Sequence, residues 1–301
     1  VRAQGNTLTY SENGRLTEVL DMVGGFGSLV LGHNHPEIVR LQKTMIAEKA
    51  PSHAQYSNNH HAGLLCQELS QRLHCATGKH FISTLASTGT EAVEAALKHA
   101  KQEYRSRAKQ SDKLSEGLAA MLLTQLDRGE FEVKPAFLEE CSLKFGRSFN
   151  HVSEIHQELI DHNERVFAKE PTFLALEHAF HGLTSGSLSL SASHDLREPF
   201  EWMGVKTLFI AQSGTALMSA LETQKHELYS LGFENGELSI KTTDWYTIAA
   251  LMIEPVQGEG GIRPLDAEFV AGFQAIASGI GFPIIVDEIQ SGMGRTGHFT
   301  A

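Results

Sequence analysis

Two hydrophobic periods alternate along this chain and together outline its elements. Short runs rich in apolar residues stand at the start of Thr172–Gly182, ending near Glu177, and at Lys206–Ile210, Ala249–Ile253 and Phe282–Val286. Continuous apolar runs of this length predict strands buried on both faces, as in a parallel sheet covered by helices. Elsewhere the spacing is helical. One helix opens at Pro36, a residue suited to a first turn, and runs through Ile38, Leu41 and Met45. A second covers roughly 61–74, with Leu64, Leu65, Leu69 and Leu73 on one face. A third starts after Thr88, which with Glu91 has the spacing of a capping box, and carries Val93, Leu97, Ala100 and Tyr104 as its stripe. Lys113 to Arg128 reads as one amphipathic helix, and Val152, Ile155, Leu159 and Val166 mark another. Near the start, Asn6–Tyr10 and Thr17–Val23 read as strands about a turn at Glu12-Asn13-Gly14, and His80–Ser83 as a further short strand. Apolar strands alternating with helices predict a predominantly parallel α/β sheet. The stretch of about 103–168 has amphipathic helices and no cluster suited to catalysis. It is expected to be a helical insertion docked outside the sheet.

Composition narrows the function classes. Of 301 residues, 41% are hydrophobic and 20% charged, which suits a globular protein of one large domain or two. A formal net charge of −11 without a long basic run argues against nucleic acid or an anionic membrane surface as a partner. Cys66, Cys75 and Cys141 are too few and too scattered for a disulfide framework or a zinc site, and point to a reducing compartment. The densest histidine groups, His33-Asn34-His35 and His60-His61, lack ligand partners at a recognised spacing, so no metal site is expected. No apolar stretch approaches the roughly 18 residues of a membrane span. A first residue of Val1, and a last residue of Ala301 inside a continuing pattern, suggest a fragment.

The chemistry gathers at strand ends. The run Phe282–Val286 stops at Asp287-Glu288-Ile289-Gln290-Ser291-Gly292, and the carboxyl ends of such strands are where ligands sit in open α/β sheets. A carboxylate in that setting needs a partner, because an unpaired buried charge is costly. A protonated ring nitrogen would serve; so would an arginine or a helix end. Ser87-Thr88-Gly89-Thr90 feeds a helix N-terminus, which offers free N–H groups, hydroxyls and the positive end of a dipole, a phosphate site in physical terms. Ala249–Ile253 likewise ends in Glu254-Pro255-Val256-Gln257-Gly258-Glu259-Gly260-Gly261. Gly24-Gly25-Phe26-Gly27 allows close approach of the backbone to a ligand or to a neighbouring strand.

Five of these stretches, in register, resemble the class III (ornithine/acetylornithine/ω-amino) aminotransferases. They are Leu31–Pro36, Ser87–Ala92, Phe180-His181-Gly182, Ile253–Gly261 and Val286–Gly297, the last being the most specific. The resemblance covers nearly the whole chain apart from the insertion and parts of 211–245. It implies the large domain of a fold-type I pyridoxal phosphate (PLP) transferase: an α/β fold with a mostly parallel, seven-stranded-type sheet and helices on both faces. Residues 1–50 would be an N-terminal segment of a small domain, and residues 51–301 the PLP-binding domain. By the same resemblance Thr88, Gly89 and Thr90 would hold the cofactor phosphate. Phe180 and Ile289 would cover the two faces of its ring, and His181 would belong to the same site. Asp287 would pair with the ring nitrogen as the catalytic carboxylate. Gln290 would bond the phenolic oxygen, Glu254 would support these groups, and Phe26, Tyr56 and Glu259 would face substrate. The implied partners are a small amine and a carbonyl compound, in a cytoplasmic homodimer.

Two departures qualify that picture. Family members that handle carboxylates often carry arginine directly after the His-Gly pair, where Leu183 stands here; leucine cannot make a bidentate contact with a carboxylate. A diamine, an ω-amino compound or a plain amine is therefore favoured, with a 2-oxo acid or aldehyde as acceptor. The Schiff-base lysine should follow the Asp287 strand, yet the last lysine is Lys241. It is expected beyond Ala301, and the chain as it stands is expected to be inactive. An aminomutase, racemase or decarboxylase on the same scaffold, or a non-catalytic scaffold protein, remains an alternative.

Overall fold

A computed structural model describes residues 1–51 and 59–301, which divide into two compact units, 1–87 with 288–301 and 88–287. In the first, β1 (Arg2–Gln4), β2 (Thr7–Glu12) and β3 (Arg15–Leu20) form an antiparallel meander, turning at Asn13-Gly14 with both residues at positive φ. Helix α1 (Pro36–Ala47) begins at its proline. Helix α2 (His60–Thr77) is capped by the Asn59 side chain and stops at Gly78 in the left-handed conformation. The expected strand at 80–83 is not formed. That segment instead lies along α2, where the Ser70 hydroxyl bonds the Phe81 carbonyl and meets the Ser83 hydroxyl. Its β-prone residues find no strand to pair with.

The second unit is built on α3 (Gly89–Asp127), a continuous helix of 39 residues and so roughly 58 Å long at 1.5 Å per residue. The Thr88 hydroxyl caps it by accepting from the Glu91 N–H. Two separate helices were expected over this stretch. The polar segment joining them, Lys101 to Ser111, holds no proline or glycine and is rich in helix formers, so nothing breaks the hydrogen-bond ladder. Next come α4 (Pro135–Phe145), bounded by its first-turn proline and Gly146, and α5 (Val152–Phe167). Then follow β4 (Thr172–Leu176), the short helices α6 (Ser185–Ser189) and α7 (His194–Arg197), a 3₁₀ turn at Glu198–Met203, β5 (Thr207–Ile210) and α8 (Gly214–Thr223). The long strands β6 (Lys225–Glu234) and β7 (Glu237–Tyr246) form an antiparallel hairpin. The chain continues through β8 (Ile248–Ile253), the small pair β9 (Val256–Gln257) and β10 (Arg263–Pro264), helix α9 (Ala267–Ile280) and β11 (Ile284–Val286).

The main sheet runs β11-β8-β4-β5, every pair parallel. Its strands are the four apolar runs, and their side chains alternate between two helical layers. Leu174, Leu176, Leu251 and Ile253 meet Leu217 and Leu221 of α8 and Phe269 and Phe273 of α9. Phe173, Ala175, Ala250 and Met252 meet Val93, Leu97 and Ala100 of α3. The several alanines on this second face let α3 lie close to the sheet.

The expected insertion forms, but not alone. The second half of α3, α4 and α5 share a separate core with the hairpin, through Leu122, Phe137, Cys141, Ile155, Leu159, Leu231 and Leu238. The hairpin turns at Asn235-Gly236, at φ 53° and 83°, the sequence signal of a two-residue turn. One polar cluster ties this satellite to the sheet. Trp245 donates to the Tyr104 hydroxyl at 3.1 Å, and the Arg107 guanidinium lies over both rings and donates to the Ile248 carbonyl at 3.0 Å.

Because helices and hairpin close one core, excising 108–166 alone from the complete protein should leave Leu231 and Leu238 uncovered and give an aggregating product. Excising 228–243 as well should restore a monodisperse one. Size-exclusion chromatography compares the two; a monodisperse product from the single deletion would contradict the shared core.

Candidate functional site

All strands of a parallel sheet release their carboxyl ends on one side, and there the residues after β4, β8 and β11 converge. Asp287 follows β11 directly. Its N–H donates to the Ile253 carbonyl at 2.7 Å, extending the β11–β8 ladder by one residue and burying the side chain. Its Oδ2 lies 2.8 Å from Nδ1 of His181, whose side chain is 0% exposed. With Asp287 ionised, Nδ1 must carry the proton. The other ring nitrogen, Nε2, is buried without a hydrogen-bond partner. The imidazole is held from behind: the His181 N–H donates to the Ser191 hydroxyl at 2.9 Å, which in turn donates to the Gly182 carbonyl at 3.0 Å.

The same loop sits on the N-terminus of α3. Thr90 Oγ1 is 2.6 Å from the Ser187 hydroxyl and 3.0 Å from that of Thr184. Gly182, at φ 124°, passes so close that a Cβ would lie 2.3 Å from Thr90 Oγ1, so only glycine fits. Glu94, one turn along α3, turns its Oε1 to the Thr184 hydroxyl (2.6 Å), the Gly186 N–H (2.8 Å) and the Ser187 N–H (3.2 Å). Those donors absorb its charge. The Thr88 oxygen accepts the capping N–H and keeps its own O–H to donate, so the helix start has for an anion its dipole, that hydroxyl and the N–H groups of Gly89 and Thr90, which have no intrahelical acceptor.

Glu254, buried at the end of β8, bridges two loops. One carboxylate oxygen accepts from the Phe180 N–H at 3.1 Å and the other from the Gly258 N–H at 3.3 Å. Burial pushes its pKa above the ordinary carboxylate value, and the two N–H groups offset part of that. Gln257 strengthens the bridge by donating to the Glu177 carbonyl at 2.9 Å, while Gly260 packs where a Cβ would lie 2.4 Å from the His178 carbonyl oxygen. Phe180 is half-buried on the first loop and Glu259 exposed on the second.

Thr88, Gly89, Thr90, Phe180, His181, Glu254, Glu259 and Asp287 thus all belong to the second unit. Ile289 and Gln290 belong to the first, as does Phe26; Ile289 and Phe26 are exposed there. Tyr56 lies outside the described residues. Phe26 sits at φ 55° amid Gly24, Gly25 and Gly27, all at positive φ, a left-handed turn that costs an ordinary L-residue about 1–2 kcal/mol. Sequence reasoning missed Glu94, Thr184, Ser187 and Ser191. The run Thr184-Ser185-Gly186-Ser187 after His-Gly hinted at hydroxyl packing; Glu94 gave no sign inside its helix. Among the described residues no three His, Cys, Asp or Glu side chains gather as a metal site, and no helix is long and apolar enough to cross a membrane.

A cofactor with a cationic ring nitrogen and a phosphate fits this donor set: a buried carboxylate at one strand end, and unbonded N–H groups at the start of a long helix beside it. Comparison with known proteins agrees. A family model described as aminotransferase class-III matches residues 1–301. A putrescine aminotransferase from Pectobacterium atrosepticum is 27% identical over 301 residues, all of this chain and 46% of that protein. The fold matches an ornithine aminotransferase from Toxoplasma gondii ME49 with a TM-score of 0.63 at 20% identity, covering 100% of this chain and 51% of that one. It also matches an adenosylmethionine-8-amino-7-oxononanoate aminotransferase from Methanocaldococcus jannaschii, with a TM-score of 0.63 at 18% identity, covering 100% and 51%. The chain therefore spans about half the length of these relatives.

Replacing Glu254 by alanine leaves the Phe180 and Gly258 N–H groups unpaired, at about 1–3 kcal/mol for a buried donor, so urea unfolding of the variant should show a loss of about 2 kcal/mol. A second, pH-dependent signature follows from the raised pKa. The folded state holds the Glu254 proton more tightly than the unfolded state, so this group favours folding at low pH and opposes it as pH rises past the folded value. Relative to wild type, Glu254→Gln should gain stability as pH rises through the carboxylate range; a pH-independent difference would contradict the assignment.

Proposed function

The chain belongs to the class III aminotransferases, a PLP-dependent family, and on that premise we propose that the complete protein moves an amino group between a small amine and a carbonyl acceptor. The observation that carries the reading is the buried Asp287–His181 pair beside the free N–H groups of α3. PLP, when bound, supplies an electron sink that loosens the C–H bond next to the substrate nitrogen. The residues supply the rest. Asp287 keeps a proton on the ring nitrogen, since an opposite charge at close range favours the cationic form. His181 holds that carboxylate in place and limits its need for water. The N–H groups of Gly89 and Thr90, at the turn begun by Thr88, take the phosphate. Glu254 holds Phe180, which the family places against the ring. Ile289 and Gln290 are assigned, as in the family, to the opposite ring face and the phenolic oxygen.

Substrate choice is read from Leu183 and Glu259. Leu183 is exposed and apolar directly after His181-Gly182, so nothing at this position grips a substrate carboxylate. The exposed Glu259 carboxylate, on the loop tied to Phe180, suits the distal ammonium of a diamine, with Phe26 and Tyr56 as further contacts. Both features favour diamines and ω-amino compounds over α-amino acids as donors. The name of the Pectobacterium relative, a putrescine aminotransferase, supports the same class. A homodimer in the cytoplasm is proposed by family analogy, and three free cysteines suit a reducing compartment.

Two expectations follow for the complete protein. Asp287→Asn should keep the fold, by circular dichroism, but lower turnover by roughly 10- to 1000-fold, because the carboxylate charge is worth about 1–3 pKa units at the ring nitrogen. A wild-type rate would exclude Asp287 as the ring's partner. In an amine panel, putrescine should outperform ornithine and alanine as donor; preference for alanine would overturn the diamine reading.

A further inference from the structure

Beside β5, the last strand of the parallel sheet and wholly within residues 88–287, lies a cavity of about 320 Å³. Its walls come from α6, from Arg197 and the 3₁₀ turn that follows, and from β5. Helix α6 divides it from the strand-end site: Ser187 turns to Thr90, whereas Leu188 and Ser189 line the cavity. The volume lies at the lower end of the range for small-molecule sites, roughly 300–1,000 Å³, which suits a small metabolite. The lining mixes three kinds of side chain. Phe200 and Phe209 join Leu188 as apolar wall, Arg197 and Lys206 are cationic, and Glu201 is anionic. Arg197 and Glu201 stand four residues apart, a spacing at which opposite charges commonly pair. Among the described residues, however, Arg197, Lys206 and Glu201 form no ion pair. Arg197 is also oriented in advance. Its Nη1 donates to the Ser191 carbonyl at 2.7 Å, and its guanidinium lies 4.5 Å over the Phe209 ring. The donors on Nη2 and Nε are thereby left in a fixed plane, a fork that matches a carboxylate.

We propose that this cavity is a binding site for a small apolar α-amino acid. The ligand carboxylate meets Arg197 and Lys206, its ammonium meets Glu201, and its side chain lies against Leu188 and Phe200. Charges of both signs, left unpaired around one small space, select a zwitterion. A plain carboxylic acid would face the Glu201 carboxylate, and a plain amine would face two cations. The site does not depend on the reading of the strand-end residues as a cofactor site. It is joined to them all the same: Arg197 holds the Ser191 carbonyl, and the Ser191 hydroxyl accepts from the N–H of His181.

The test is equilibrium dialysis of the complete, cofactor-loaded protein against labelled L-leucine, with isocaproate, the same molecule without its ammonium, as competitor. Leucine should bind, and isocaproate should compete only at roughly tenfold or higher concentration. Glu201→Gln should weaken leucine by roughly fivefold or more while leaving isocaproate unchanged or tighter, because it removes the ammonium's partner and the acid's repulsion together. Lys206→Met should weaken both ligands. Arg197→Lys, which keeps a donor for the Ser191 carbonyl but loses the fork, should weaken both as well, with the circular dichroism spectrum unchanged. No binding of leucine, or isocaproate competing as well as leucine itself, would overturn the proposal. So would leucine binding that Glu201→Gln and Lys206→Met leave unaltered, since the ligand would then sit elsewhere, the strand-end site included.

Discussion

The 2.8 Å hydrogen bond between His181 and Asp287 is the constraint on which the second unit's functional end depends. A carboxylate buried at the end of a parallel strand is tolerable only with donors around it, and the imidazole supplies one from a residue more than a hundred positions earlier. Fixing that imidazole recruits Ser191, Ser191 fixes Gly182, and Gly182 lies against Thr90 and Ser187 at a separation no other residue would permit. The carboxylate at one strand end and the start of α3 are thereby held by one loop. Glu254 adds the loop after β8 through Phe180 and Gly258. Spacing between the start of α3 and the Asp287 carboxylate is therefore not left to loop flexibility.

Helix α3 carries this order outward. Its first turns form the N-terminal N–H groups, its next turns cover one face of the sheet, and its last turns help close a separate core with α4, α5 and the β6–β7 hairpin. An unbroken helix couples these regions as a rigid rod. The satellite core buries its own phenylalanines and leucines and needs nothing from the strand ends. Tyr104, Arg107 and Trp245 mark where the two cores meet on that rod.

In the first unit the turn 24–27 holds an exposed aromatic at positive φ. Glycines on either side of Phe26 make the left-handed turn accessible, and fixed polar side chains make it the preferred state.

What the sequence by itself determined was local. The four apolar runs became the four parallel strands, Thr88 capped its helix and Pro36 opened another. Those signals depend on period and on near neighbours, which are written in order along the chain. The Asn235-Gly236 turn was equally local and equally legible, though it lay where no motif drew attention. Only the tertiary structure decided the rest. That His181 faces Asp287, that Glu94 serves Thr184 and the first turn of α6, and that the helical insertion shares a core with a hairpin some sixty residues on are pairings across long loops. Local propensity is blind to them. The strand expected at 80–83 failed for the same reason, since a β-prone segment becomes a strand only when another edge is present to accept its hydrogen bonds.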